Sequence, residues 1–146
     1  MPIAHVMIAD DERDFVETLC ERLDWRELKI VKAFSGEEAL KALEADNSIE
    51  VVILDVKMPG MDGIETLTHI RKKHPLVEVI MLTGHGTVES AVEGMRQGSF
   101  DFLMKPCDIE QLTAKVEKAA ARKREQEMKI LQAELEHIRR SGKRRI

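Results

Sequence analysis

The sequence predicts a doubly wound α/β domain: five parallel strands in spatial order 2-1-3-4-5, helices on both faces, and an extended C-terminal helix. Three observations carry this prediction. Five short runs rich in Val and Ile recur along 146 residues. Stretches of helical periodicity separate them. Three of the runs are near-continuously apolar, as strands covered on both faces must be.

The first run is IAHVMIA (3–9). DDERD follows it and leads into a helix with Phe15, Val16, Leu19, Cys20 and Leu23 at helical spacing. LKIVKAF (28–34) alternates more, lies beside the only tryptophan, Trp25, and reads as an edge strand. Ser35 with Glu38 is a capping box opening GEEALKALEA, where Ala39, Leu40, Ala42 and Leu43 form the buried face. EVVIL (50–54) is the third strand, and Gly63 to Lys73 then places Ile64, Leu67 and Ile70 on one stripe. VEVIML (77–82) is the fourth, after which Thr87 to Gln97 sets Val88, Ala91, Val92 and Met95 on another such stripe, stopped by Gly98. DFLM (101–104) is the fifth, and the last helix starts near Asp108 and meets no Gly or Pro until Gly142. A flavodoxin-like sheet is the economical arrangement at this size, and such sheets bind ligands beyond the carboxyl ends of their strands.

Composition narrows the class. With 43% hydrophobic and 34% charged residues, the chain is too apolar for disorder. No apolar stretch reaches the ~20 residues of a membrane span. The N-terminus lacks the basic start of a secretory signal, and two cysteines, Cys20 and Cys107, favour reduced thiols in a cytoplasm over a disulfide framework. The net charge of −4 hides an asymmetry: residues 118–146 hold ten Lys or Arg against four Glu. That basic tail has no interleaved aromatics and no DNA-reading motif, so neither a membrane nor direct nucleic-acid binding is expected of it.

Chemistry gathers at the strand ends. Asp10, Asp11 and Glu12 follow the first strand, Asp55 the third, Thr83 the fourth, and Lys105-Pro106 the fifth. Carboxylates in one crevice raise one another's pKa, and a divalent cation relieves that conflict. Mg2+ takes hard oxygen ligands and is typically shared with phosphate oxygens. An aspartate is a competent nucleophile toward phosphorus, while a lysine and a hydroxyl can hold phosphate oxygens.

The acidic pair Asp10-Asp11, LDVKMPGMDG (54–63), MLTGHGT (81–87) and FLMKP (102–106) stand in the order and spacing of a known pattern. Over residues 3 to about 120 the chain resembles a response-regulator receiver domain of two-component signalling. The resemblance implies that Asp55 is the phospho-acceptor and that Asp10, Asp11, Asp55 and the backbone carbonyl of Lys57 hold Mg2+. It also implies that Thr83 is the switch hydroxyl, Lys105 the phosphate-holding lysine, and Phe102 the aromatic switch residue. Lys57 and His85, two residues beyond Asp55 and Thr83, fall where the family tunes phosphate lifetime. The implied donor is a sensor histidine kinase, and the only chemistry implied is self-phosphorylation and autodephosphorylation.

Each piece alone has an ordinary explanation: an Asp-Asp pair caps helices, a lone Thr is core, and a lysine before proline is a strand-end residue. Together they would need four coincidences. The rival in the binding class is a phosphate-independent pseudo-receiver acting as a dimerising module, against which the intact acidic, hydroxyl and lysine positions speak. An aspartate-nucleophile phosphatase would need an acid two residues after the nucleophile, where Lys57 stands. The domain is expected to occupy 1–121, with 122–146 a basic helical extension, coiled coil or linker. In it Met128, Leu131, Leu135 and Ile138 are spaced 3-4-3, which predicts a homodimer through this helix.

Overall fold

A computed structural model of the chain describes residues 3–24 and 26–144, the side chains of 143 and 144 excepted. Trp25 and the last two residues of the basic extension lie outside the described residues. The elements alternate as β1 (Ala4–Ala9), α1 (Arg13–Asp24), β2 (Leu28–Ala33), α2 (Gly36–Ala45), β3 (Val51–Leu54), α3 (Gly63–Lys73), β4 (Glu78–Thr83), α4 (Val88–Arg96), β5 (Asp101–Met104) and α5 (Ile109–Arg144). The five strands form one parallel sheet of order β2-β1-β3-β4-β5, as the sequence predicts, with β2 at an edge.

Strand periodicity divides the sheet's side chains between two cores. Val6, Ile8, Val51, Ile53, Ile80 and Leu82 pack with Val16, Leu19, Leu23, Leu112 and Val116 under α1 and α5. Met7, Ala9, Val52, Leu54, Val79 and Met81 pack with Ala39, Leu43, Leu67 and Ile70 under α2 and α3. This two-sided burial is why the strand sequences are apolar at consecutive positions rather than alternate ones.

The register places the site. Ala9 pairs with Leu54, and Leu54 with Met81. Asp10 and Asp55, each one residue past its strand, therefore sit side by side at the carboxyl edge. The ladder runs one step further: Asp10 N–H donates to Ala33 O at 3.1 Å, and Asp55 N–H to Ala9 O at 3.1 Å. Thr83 is the last residue of β4 rather than the first beyond it.

The apolar stripe of α4 is largely uncovered. Only Gly94 of this helix is buried, while Val88 is 81% exposed and Val92 and Met95 are each 49% exposed. β5 is the edge strand of the sheet, so among the described residues no further element lies beyond it to cover the rest of this stripe. Together with Met104, 47% exposed, these side chains form an apolar surface beside β5.

α5 packs on the sheet through Leu112, Val116 and Ala119, all fully buried. Residue 121, the expected boundary, falls inside the unbroken helix. Body contacts continue to Arg124, whose guanidinium meets Glu50 Oε2 at 2.6 Å and Oε1 at 2.8 Å and donates to Ile3 O at 2.7 Å. From Glu125 to Arg140 every residue is exposed.

Candidate functional site

Asp55 is the most enclosed of the acidic groups, at 1% exposure. Its Oδ1 accepts from the Val56 N–H at 2.8 Å. Its Oδ2 is buried without a hydrogen-bond partner, and the nearest cation, Lys105 Nζ, stands 3.8 Å away. A buried carboxylate oxygen left unsatisfied costs on the order of several kcal/mol, so its retention points to a ligand.

Asp10 is also buried; its Oδ1 accepts from the Glu12 N–H at 2.9 Å and its Oδ2 from Lys105 Nζ at 2.7 Å. Burial drives the Asp10 carboxyl above the ordinary aspartate range, and the Asp55 charge adds to the rise, which the Lys105 and Glu12 contacts oppose without cancelling. Asp11 is exposed, yet one oxygen each from Asp10, Asp11 and Asp55 lie within 4.8 Å of one another. Clustered carboxylates, one with an orphaned buried oxygen, fit a hard divalent cation.

The raised Asp10 pKa has a thermodynamic consequence. Its ionisation opposes folding, so the stabilisation of the protonated form is present at low pH and lost as pH rises through the folded pKa. In chelator at neutral pH, Asp10→Asn should therefore have a higher thermal midpoint than the parent, and adding Mg2+ should narrow the gap. A lower midpoint by calorimetry would contradict this assignment of strain to Asp10.

Lys105 follows β5, with its peptide to Pro106 cis, and its N–H donates to Thr83 O at 2.9 Å. Burial pulls its ammonium down, but hydrogen bonding to Asp10 and the charges of Asp10, Asp55 and Glu12 outweigh that and hold its pKa up. Two neighbours of this lysine were not legible as such in the sequence. Glu12 Oε1 lies 3.4 Å from Nζ, and the Phe15 ring lies beneath it with 3.9 Å to the centroid, a cation–π contact. Phe15 reads in sequence as one more core residue of α1.

Thr83 is fully buried, and its Oγ1 accepts the His85 N–H at 3.0 Å. Phe102 lies half-buried on β5 against two glycines whose role the sequence did not suggest. A Cβ at Gly94 would stand 3.3 Å from its Cδ2, and one at Gly86 3.0 Å from its Cε1. Glycine at both positions lets the ring lie between the β4–α4 loop and α4. Lys57 and His85 share a cleft of about 460 Å3 with Asp11, Glu12, Met58, Pro59 and Asp62.

Gly63 is the other unanticipated residue. As the first residue of α3 it reads as an ordinary helix start, yet a Cβ there would stand 1.8 Å from the carbonyl oxygen of Asp55. Its N–H donates to Val56 O at 2.7 Å. α3 is thereby pinned against the backbone of the central carboxylate, with Asp62 capping the helix through Glu65 N–H at 2.9 Å.

Comparison with known proteins agrees with this geometry. The chain is 37% identical to the DNA-binding transcriptional regulator NtrC of Escherichia coli (strain K12) over 122 residues, 84% of this chain and 26% of that protein. It is 35% identical to the uncharacterized transcriptional regulatory protein YesN of Bacillus subtilis (strain 168) over 142 residues, 92% of this chain and 38% of that protein. The chain thus spans well under half the length of these curated relatives. A crystal structure of a response regulator receiver domain protein from Clostridium thermocellum superposes with a TM-score of 0.79 at 34% identity, covering 83% of this chain and 97% of that one. The family profile described as "Response regulator receiver domain" matches residues 6–117. The acidic cluster at the ends of β1 and β3, the lysine after β5 and this match lead to one conclusion: the chain belongs to the response-regulator receiver domain family.

Proposed function

We propose that Asp55 takes a phosphoryl group from a partner sensor histidine kinase, and that the aspartyl phosphate switches the surface around α4 and β5. The observation that carries this reading is the buried Asp55 Oδ2 with no hydrogen-bond partner, beside Lys105. In the transfer Oδ2 attacks phosphorus, an O–P bond forms as the P–N bond of the phosphohistidine breaks, and the imidazole leaves with the electron pair. Mg2+, held by Asp10, Asp11, Asp55 and the Lys57 carbonyl, would supply charge neutralisation for the phosphoryl oxygens. Lys105 is close enough to exchange its Asp10 contact for a phosphate oxygen. The Thr83 hydroxyl has its proton free to donate, since the contact from His85 uses an acceptor lone pair.

Movement of Thr83 toward phosphate would disturb the loop carrying Gly86, against which the Phe102 ring rests. That links the reaction to Val88, Val92, Met95 and Met104, the exposed apolar surface and the expected readout face. Lys57 and His85 face each other across a cleft that also holds Asp11, two residues beyond Asp55 and Thr83, and we assign them the control of phosphate lifetime. The chemistry is confined to the chain's own aspartate. Among the described residues no helix is long and apolar enough to cross a membrane, and the free thiols of Cys20 and Cys107 support a cytoplasmic setting.

The test is incubation with acetyl phosphate and Mg2+, followed by intact mass and peptide mapping. A gain of one phosphoryl group on residue 55, abolished by chelator, is expected. No gain, or a gain mapped elsewhere, would overturn the reading.

A further inference from the structure

We infer that Glu37, on the first turn of α2, is a positioning residue for the metal site: it holds the loop between β3 and α3 so that the Lys57 carbonyl is fixed for Mg2+. The inference rests on the proposed Mg2+ site and assigns that site an outer support.

The stretch from Lys57 to Asp62 needs such support. Met58 anchors its start in the core, while Lys57, Pro59, Gly60 and Asp62 are exposed. Among the described residues, one hydrogen bond joins the backbone of this stretch to an element other than α3, into which it leads. The Met61 N–H donates to Glu37 Oε1 at 3.1 Å.

Backbone shape brings the two together. Gly60 has φ +78°, a left-handed turn that glycine adopts without penalty, and a Cβ there would stand 3.1 Å from Glu37 Oε1. On the other side, a Cβ on Gly36 would stand 3.0 Å from Met61 O. Glycine on each side thus lets the start of α2 lie flush against the loop. Glu38 brings a second charge to the same turn, but it is the Glu37 side chain that meets the loop. Its own N–H and that of Met61 hold its carboxyl below the usual glutamate range, which makes it a charged and therefore stronger acceptor.

The loop matters to a metal because Lys57, Met58, Pro59 and Asp62 wall the cleft that holds Asp11. Mg2+ requires near-ideal octahedral geometry with oxygens at about 2.0–2.1 Å, whereas Ca2+ accepts about 2.3–2.6 Å in a flexible shell. A carbonyl ligand on a slack loop is therefore lost to Mg2+ first. Outer partners that orient a ligand are typically worth about 10- to 100-fold in metal affinity. A single exposed hydrogen bond belongs at or below the lower end of that range.

Mg2+ and Ca2+ affinities of the full chain, measured by amide NMR titration of the parent, Glu37→Gln and Glu37→Ala, test the inference. Glutamine keeps an oxygen for the Met61 N–H and loses the charge; alanine loses both. Glu37→Gln should bind Mg2+ within about 2-fold of the parent, since a remote exposed charge is screened. Glu37→Ala should bind Mg2+ about 3- to 10-fold more weakly, with Ca2+ affinity changed by less than about 2-fold. In chelator its Met61 amide should exchange with deuterium faster than in the other two chains, while its phosphoryl uptake at saturating Mg2+ should match the parent. The position is exposed, and unchanged circular dichroism confirms the fold. An alanine variant that binds Mg2+ like the parent, a glutamine variant as weak as the alanine one, or equal losses for the two cations would overturn the role of Glu37 and leave the metal site standing. A parent that does not bind Mg2+ would overturn the proposed site itself, and this support with it.

Discussion

Asp55→Asn is expected to stay folded and to lose phosphoryl uptake by more than about 1,000-fold, equivalent to ~4 kcal/mol of barrier. The amide fills the same volume and still offers an oxygen to the Val56 N–H, now met at 2.8 Å. It cannot attack phosphorus, and no neighbour replaces it. Asp10 is occupied by Lys105 and the Glu12 N–H, and Asp11 lies out in solvent. Removing one of two adjacent buried carboxylates also relieves repulsion, so stability should hold or rise by roughly 1 kcal/mol. Intact mass after acetyl phosphate treatment measures the first effect and urea unfolding the second. A variant that still gains a phosphoryl group would show that Asp55 is not the acceptor.

Gly63→Ala is expected to be the most damaging single methyl addition in the domain. The new Cβ would lie 1.8 Å from Asp55 O and 2.7 Å from Val56 Cα. These are backbone atoms, so no rotamer change can make room. Either α3 moves off the sheet, losing the 2.7 Å Gly63–Val56 hydrogen bond and part of the packing of Leu67 and Ile70, or the Asp55 backbone shifts. Overpacking of this kind costs about 2–4 kcal/mol, on the order of a 1–2 M drop in urea midpoint. Phosphorylation should slow in parallel, because the displaced backbone is that of the acceptor. Gly84→Ala is the control: its Cβ would meet only methylenes of Lys105, at 3.9 and 4.0 Å. Equal stability of the two variants would refute the steric argument.

The fold was legible because strand burial leaves a strong trace. The Val/Ile content and shortness of Val51 to Leu54 favour a strand buried on both faces, and the parallel order followed from alternation with helices. The site was legible for a related reason: charged residues directly after such strands must meet at one edge. Less visible was anything set by fit between elements. Periodicity identifies an apolar face on α4 but not whether anything covers it, and at the β5 edge of the sheet Val88, Val92 and Met95 stay in water. Gly63, Gly86 and Gly94 matter through the absence of an atom, which no spacing rule records. The Phe15 contact with Lys105 joins residues 90 positions apart through side-chain direction alone.

The Arg124 clasp to Glu50 has a mechanical implication. Past that point α5 has neither glycine nor proline until Gly142, so the continuous helix would act as a stiff lever anchored at the foot of the sheet. With an arm of ~30 Å, a tilt of about 10° at the clasp would sweep the far end through ~5 Å. Motions too small to notice in the body would be magnified to the width of a strand spacing at the tip. Whatever lies beyond the tip would receive amplitude rather than chemistry.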